Sequence, residues 1–266
     1  MTATAAASRR AWIDLAAVVG TITVNALANI VPFNGQNTGQ VSDRFAVYFV
    51  PAGYVFAIWG VIYLAWLAFC AFQLLPSQRH NRRFAALGYW FAASGVLNSL
   101  WLVCWHYNQF TLSLLVMVAL LGTLIISYRR LNVGRTESGA VERWCVDAVF
   151  GLYLGWISVA TIANAADVLW LAGWGGWGIA PQVWTAIMLA IATVLGAAMV
   201  WRRYDAIFPL VLVWAFVGIA DRQSGRFALP DPALVVNAAW LAAAISLLLA
   251  ATAAGLRVRR ARRHSR

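Results

Sequence analysis

A chain of 266 residues that is 62% hydrophobic and only 11% charged carries more apolar side chain than a soluble domain of this length buries, so it reads as an integral membrane protein. Its net charge of +11 would suit a nucleic-acid binder if it were gathered on one face, but all 20 basic residues are arginines scattered between apolar stretches. Cys70, Cys104 and Cys145 are isolated, with no C-x-x-C spacing to suggest a zinc site or a disulfide framework.

Eight apolar spans can be marked, roughly 11–32, 52–75, 84–106, 110–128, 144–169, 182–201, 206–220 and 233–256. Most reach the ~20 residues that a helix needs to cross the hydrocarbon core. The seventh is short and contains Pro209, which makes it the weakest. With eight crossings, seventeen arginines fall on one side, leaving Arg44, Arg222 and Arg226 on the other. The positive-inside rule then places both termini in the cytoplasm of a cell-membrane protein. The expected fold is all-α and multi-pass, and the charge is explained by topology without any nucleic acid.

The first span begins after Arg9-Arg10. Ala26-Leu27-Ala28 resembles a signal-peptidase site, so a cleaved signal peptide is an alternative to a retained helix. The retained helix fits better: Asp14 interrupts the apolar region early, and Asn25 and Asn29 stand i, i+4 on one face, where amides in hydrocarbon need protein partners. The polar, glycine-bearing connection 33–44 is either a lid or a plain solvated loop. The second span, opened by Pro51, places Trp59, Tyr63 and Trp66 at i, i+4 and i+7. Such a stripe is more often a packed aromatic seam than a ligand site.

Gln78 to Arg83 reads as a basic topology anchor. The third span carries Asn98, Trp101 and Trp105 on one side, and the tight connection 106–109 pairs it antiparallel with a scaffold-like fourth span. Gly95 and Ser99 form a small-xxx-small pair, a weak sign of a homodimer contact. His106, at the end of this span, is a remote candidate for a haem-iron ligand. In the fifth span Tyr153, Trp156, Ala160 and Asn164 make one continuous stripe, with small Ala160 leaving room beside the indole.

These faces reach comparable depth in the outer half of the membrane. Asn25, Asn29, Trp59, Tyr63, Asn98, Trp101, Tyr153, Trp156, Ala160 and Asn164 are therefore the candidate lining of an aromatic cavity between spans 1, 2, 3 and 5. A flat apolar ligand would stack on its indoles while the amides fix the ligand's edge.

The proline-led helix from Pro51 through Trp59 to Tyr63, the patch Leu97-Asn98-x-x-Trp101, and Tyr153-x-x-Trp156-x-x-x-Ala160-x-x-x-Asn164 resemble the tryptophan-rich sensory protein family, also called the translocator protein or peripheral benzodiazepine receptor (TspO/MBR) family. The resemblance covers residues 1–170. It implies a five-helix bundle that binds tetrapyrroles such as protoporphyrin, and in some members sterols or synthetic aromatics. It also implies a pocket at Trp59, Tyr63, Asn98, Trp101, Trp156 and Ala160. The chain departs from the family pattern at Ala52, where a second proline is usual, and at Leu152, where a proline usually precedes the tyrosine.

Residues 171–266 read as a three-helix extension that the family core lacks, with no internal repeat relating it to the core. Trp174 and Trp177 in its first loop suit a membrane interface, and Asp221, Arg222, Arg226 and Asp231 read as salt-bridged loop residues. The arginine tail 257–266 suits the anionic inner leaflet. The expected function is ligand binding of a sensory or carrier kind, with no obligatory cofactor; a porphyrin or haem is the group that could be bound. A secondary transporter of a small hydrophobic or amphipathic solute is the alternative. No nucleophile–base pair or carboxylate cluster suggests an enzyme; light-dependent porphyrin breakdown is conceivable by resemblance alone.

Overall fold

The computed structural model describes residues 3–136 and 138–264, with side chains from Ala5 to Arg260. All secondary structure among them is helical. The principal helices are α1 (Ala3–Ile30), α2 (Thr38–Ser42), α3 (Ile58–Leu74), α4 (Arg82–Leu87), α5 (Trp90–His106), α6 (Phe110–Arg130), α7 (Ala148–Leu171), α8 (Pro181–Arg203), α9 (Ile207–Ser224) and α10 (Ala233–His264).

Seven helices among the described residues are long and apolar enough to cross a membrane. The weak seventh span of the sequence is one of them. Pro209 falls at the third residue of α9, where a missing backbone N–H costs no helical bond. Beside it the Asp205 carboxylate accepts from the N–H groups of Ile207 and Phe208, at 2.8 and 3.1 Å. The third span is the one that falls short. Gly88, at φ +63°, breaks it into α4 and α5, and the 17 residues of α5 extend about 26 Å.

The chain forms two compact units, Met1–Asp43 with Ala57–Ile157, and Arg44–Phe56 with Ser158–Arg266. These are not the segments 1–170 and 171–266 suggested by the resemblance. Helix α7 starts in the first unit and ends in the second.

In the first unit α1 packs on α3 and α5, and α5 on α6. The α1–α5 contact is close because Gly95 has no side chain: a Cβ there would stand 2.8 Å from Thr21 Oγ1, which donates to Gly95 O at 3.0 Å. Ser99 Oγ donates to the same carbonyl at 3.1 Å. The Gly95/Ser99 pair is thus occupied by α1 of the same chain. Phe69 packs edge to face with Phe84, Phe91 and Phe150, with the Phe69 and Phe91 centroids 4.8 Å apart.

Arg83 closes one end of this unit. Its Nε donates to Leu131 O at 2.8 Å, Nη1 to Glu142 at 2.8 Å, and Nη2 to Asp147, to which Ser138 also donates. The pairing coincides with a π-helical turn, Arg143–Asp147, that leads into α7. Arg83 is therefore a buried structural cation rather than only a topological one.

In the second unit α8, α9 and α10 pack on one another through small residues. A Cβ on Gly196 would meet Leu212 at 2.8 Å. Gly218 on α9 admits the segment 44–56: a Cβ there would stand 2.1 Å from Val55 Cγ2, and Ala52 N–H donates to Gly218 O at 2.9 Å. Trp214 Nε1 donates to Val55 O at 2.9 Å, and Gln223 Nε2 to Tyr48 O at 3.3 Å. Tyr48 donates to Pro230 O; burial, then the Asp231 carboxylate, pushes its hydroxyl above the usual tyrosine range and keeps it a donor.

Arg222 and Arg226 both stand over the Phe227 ring, at 5.7 and 4.7 Å. Trp174 and Trp177 cluster with Trp184, whose Nε1 donates to Gly176 O at 2.8 Å. The arginine tail continues α10, and Arg260 covers Tyr204 at 5.3 Å. Residues 265–266 of that tail lie outside the described residues.

Candidate functional site

The aromatic stripes of α3 and α7 meet in the first unit. Trp59 stacks on Tyr63 with centroids 5.7 Å apart, and presents edges to Trp66, Tyr153 and Trp156, each at 6.3 Å. Trp66 lies against Tyr153 at 4.8 Å and against Phe91 at 6.2 Å. Trp66, Tyr153 and Trp156 are buried, Trp59 is at the margin of burial and Tyr63 is half-buried. The rings fill one another's faces, as the packed-seam reading of the sequence anticipated.

What that reading does not account for is the polar content of the layer. Asn25 Nδ2 donates to Asn98 Oδ1 at 3.0 Å and to Thr21 O at 2.9 Å, both amides being buried. Asn98 Nδ2, Trp66 Nε1 and the Tyr153 hydroxyl are buried and meet no partner in hydrogen-bond geometry. The Tyr153 hydroxyl faces the side chains of Asn98 and Ser94 without closing a bond to either. The three lie together in one ring layer, whereas most buried polar groups of a packed core are paired.

Other expected residues are placed differently. Asn29 is exposed, and its amide donates back to Asn25 O at 2.8 Å, so it does not join the layer. Trp101 stacks on Trp105 at 5.9 Å, and Trp105 Nε1 donates to Thr38 O at 3.4 Å. Ala160, half-buried, and Asn164, buried, stand further along α7 in the part that belongs to the second unit. Trp66 is the central residue absent from the candidate lining. Its signal was present, seven residues from Trp59 on one helical face.

The connection between the first two spans is docked and partly helical. Asn37 caps α2 in a reciprocal capping box with Gln40. Asn34 Nδ2 donates to His106 O at 3.0 Å, Thr38 Oγ1 stands 3.1 Å from His106 Nε2, and Phe33 lies edge-on to the imidazole at 5.9 Å. Thr38 thus engages His106 Nε2, while His106 Nδ1 is buried without a partner in hydrogen-bond geometry, and no group of three His, Cys, Asp or Glu side chains able to hold a metal ion occurs among the described residues.

Seven apolar helices and an internal layer of rings and amides define a multi-pass α-helical membrane protein. The family described as TSPO-like protein matches residues 11–252, and the chain belongs to that family. The match runs beyond residue 170 and takes in α8 and α9 and most of α10, so these helices lie within the family's extent. Comparison with curated proteins and with solved structures returned no match. Membership suggests a function in membrane ligand binding or transport.

Proposed function

We propose that the ring layer of the first unit binds a flat hydrophobic ligand, a tetrapyrrole such as protoporphyrin, in a membrane protein of sensory or carrier type. The observation that carries this reading is the trio of buried open donors, Trp66 Nε1, Asn98 Nδ2 and the Tyr153 hydroxyl. Each unsatisfied group costs on the order of 1–3 kcal/mol, more than a core retains without reason. An acceptor on the edge of a flat ligand would relieve the cost, while its faces replace ring–ring contacts. Trp59 and Tyr63 are the less buried of the stacked rings and would turn aside first. A sterol-like ligand would use the apolar faces but leave most of the donors open, which favours the tetrapyrrole.

In this reading the chain crosses the cell membrane eight times, α5 being the short additional span, and both termini are cytoplasmic. That parity keeps seventeen arginines inside. The basic end of α10 would then gain about 1 kcal/mol per arginine from anionic lipid. Tryptophan-fluorescence titration of the detergent-purified protein with protoporphyrin tests the site. Saturable quenching that weakens in Trp59→Phe, Trp66→Phe and Trp156→Phe is expected; quenching indifferent to all three changes would refute it.

A secondary transporter is the second reading. Asp14 and Asp167 lie in spans and are almost wholly buried, and each keeps one carboxyl oxygen open. Proteoliposome uptake driven by a proton gradient and lost in Asp167→Asn would favour it.

A further inference from the structure

We infer that the polar end of α1 and α3 carries a second, separate binding site, for a phosphate ester that bears free hydroxyl groups. A cavity of about 280 Å³ lies there, lined among others by Arg10 and Trp12 of α1, Gln73 of α3, Gln78 and Arg79 of the following turn, and Phe84 of α4. Gln73 stands seven residues beyond Trp66 on α3, about 10 Å along the axis, so the cavity is distinct from the ring layer.

Asp14 is close enough to act electrostatically on Arg10, yet no direct ion pair joins the two among the described residues. Neither Arg10 nor Arg79 forms an ion pair among the described residues, where the acids of the first unit's ion pairs, Glu142 and Asp147, are both held by Arg83. The acid nearest in sequence, Asp14, does not line the cavity; its carboxyl accepts from Gln73 Nε2 at 3.0 Å. That bond orients the Gln73 amide and leaves its carbonyl oxygen for another donor.

Two lining residues keep a buried polar atom without a partner, the donor Arg10 Nε and the acceptor Gln73 Oε1. Gln73 itself is only 6% exposed. A guanidinium pair recognises the oxygens of a phosphate through charge-assisted, forked hydrogen bonds. An open acceptor beside them asks for a hydroxyl on the same ligand. Trp12 and Phe84 add an apolar wall, so the ligand is either the glycerophosphate headgroup of an anionic lipid or a free phosphate ester of a polyol.

Isothermal titration of the detergent-purified full chain with dihexanoyl phosphatidylglycerol, with glycerol phosphate, and with dihexanoyl phosphatidylcholine tests this site. Saturable binding of the first alone identifies the lipid headgroup, and binding of the first two identifies the free ester as sufficient; both support the site. Arg10→Gln and Arg79→Gln should each weaken that binding about tenfold. Arg82→Gln, an exposed neighbour that does not line the cavity, should leave it unchanged. Phosphatidylcholine binding as tight as phosphatidylglycerol would overturn the inference. So would Arg10→Gln and Arg79→Gln proteins that bind like the wild type, or equal weakening in Arg82→Gln. Arg79 is exposed, so its substitution tests the ligand contact without risk to folding.

Discussion

The two units differ most in what packs at their centres. In the first, large rings lie against one another around a pair of asparagines, and donors at Trp66, Asn98 and Tyr153 are left open. In the second, glycines admit neighbouring chain to near-contact, and the segment 44–56 is stitched to α9 by Trp214, Gln223 and the carbonyl of Gly218. A layer with unspent hydrogen-bonding capacity can exchange a ring contact for a ligand, whereas a seam closed by backbone approach cannot yield without a clash. On the proposed reading, the layer that can accept a ligand is the one in the first unit.

The contrast can be broken at its strongest point first. Arg83→Ala would strand the Glu142 and Asp147 carboxylates at the end of the first unit and should cost about 3 kcal/mol. Thermal unfolding in detergent would register this, and a Tm within a degree of wild type would show that the ion network is dispensable. Gly218→Ala comes next, because a stiff valine stands in the way of the new Cβ. A loss of about 2 kcal/mol is expected, with most of it restored by adding Val55→Ala. If the second change does not rescue the first, the segment 44–56 is not held by that contact.

Tyr153→Phe sharpens the comparison from the other side. It removes an open donor rather than a made bond, so stability should barely move, while protoporphyrin affinity falls about three- to tenfold through a lost hydrogen bond. Equal losses of stability and affinity would return the layer to plain packing. The smallest effect belongs to Asn37→Ala, which uncaps α2 at a cost of about 1 kcal/mol. Hydrogen exchange should quicken over residues 33–42 and nowhere in α8 to α10.

Much of this molecule was legible before any coordinates. Apolar run length and arginine placement define the membrane class, and helical spacing put Trp59, Tyr63, Tyr153 and Trp156 on faces that do meet. Those features are local, because each follows from side-chain chemistry repeated along one helix. Spacing within a helix did not reveal that Asn29 turns back to its own backbone or that Gly95 receives Thr21. Nor did composition show that Arg83 is buried between two acids or that 44–56 packs on Gly218. These outcomes depend on which faces come together across tens or hundreds of residues. The sequence by itself determined that helices would form, about where they would run and which sides would be aromatic. Only the tertiary structure decided which donors found acceptors on other helices, because such a bond needs partners from distant parts of the chain within about 3 Å.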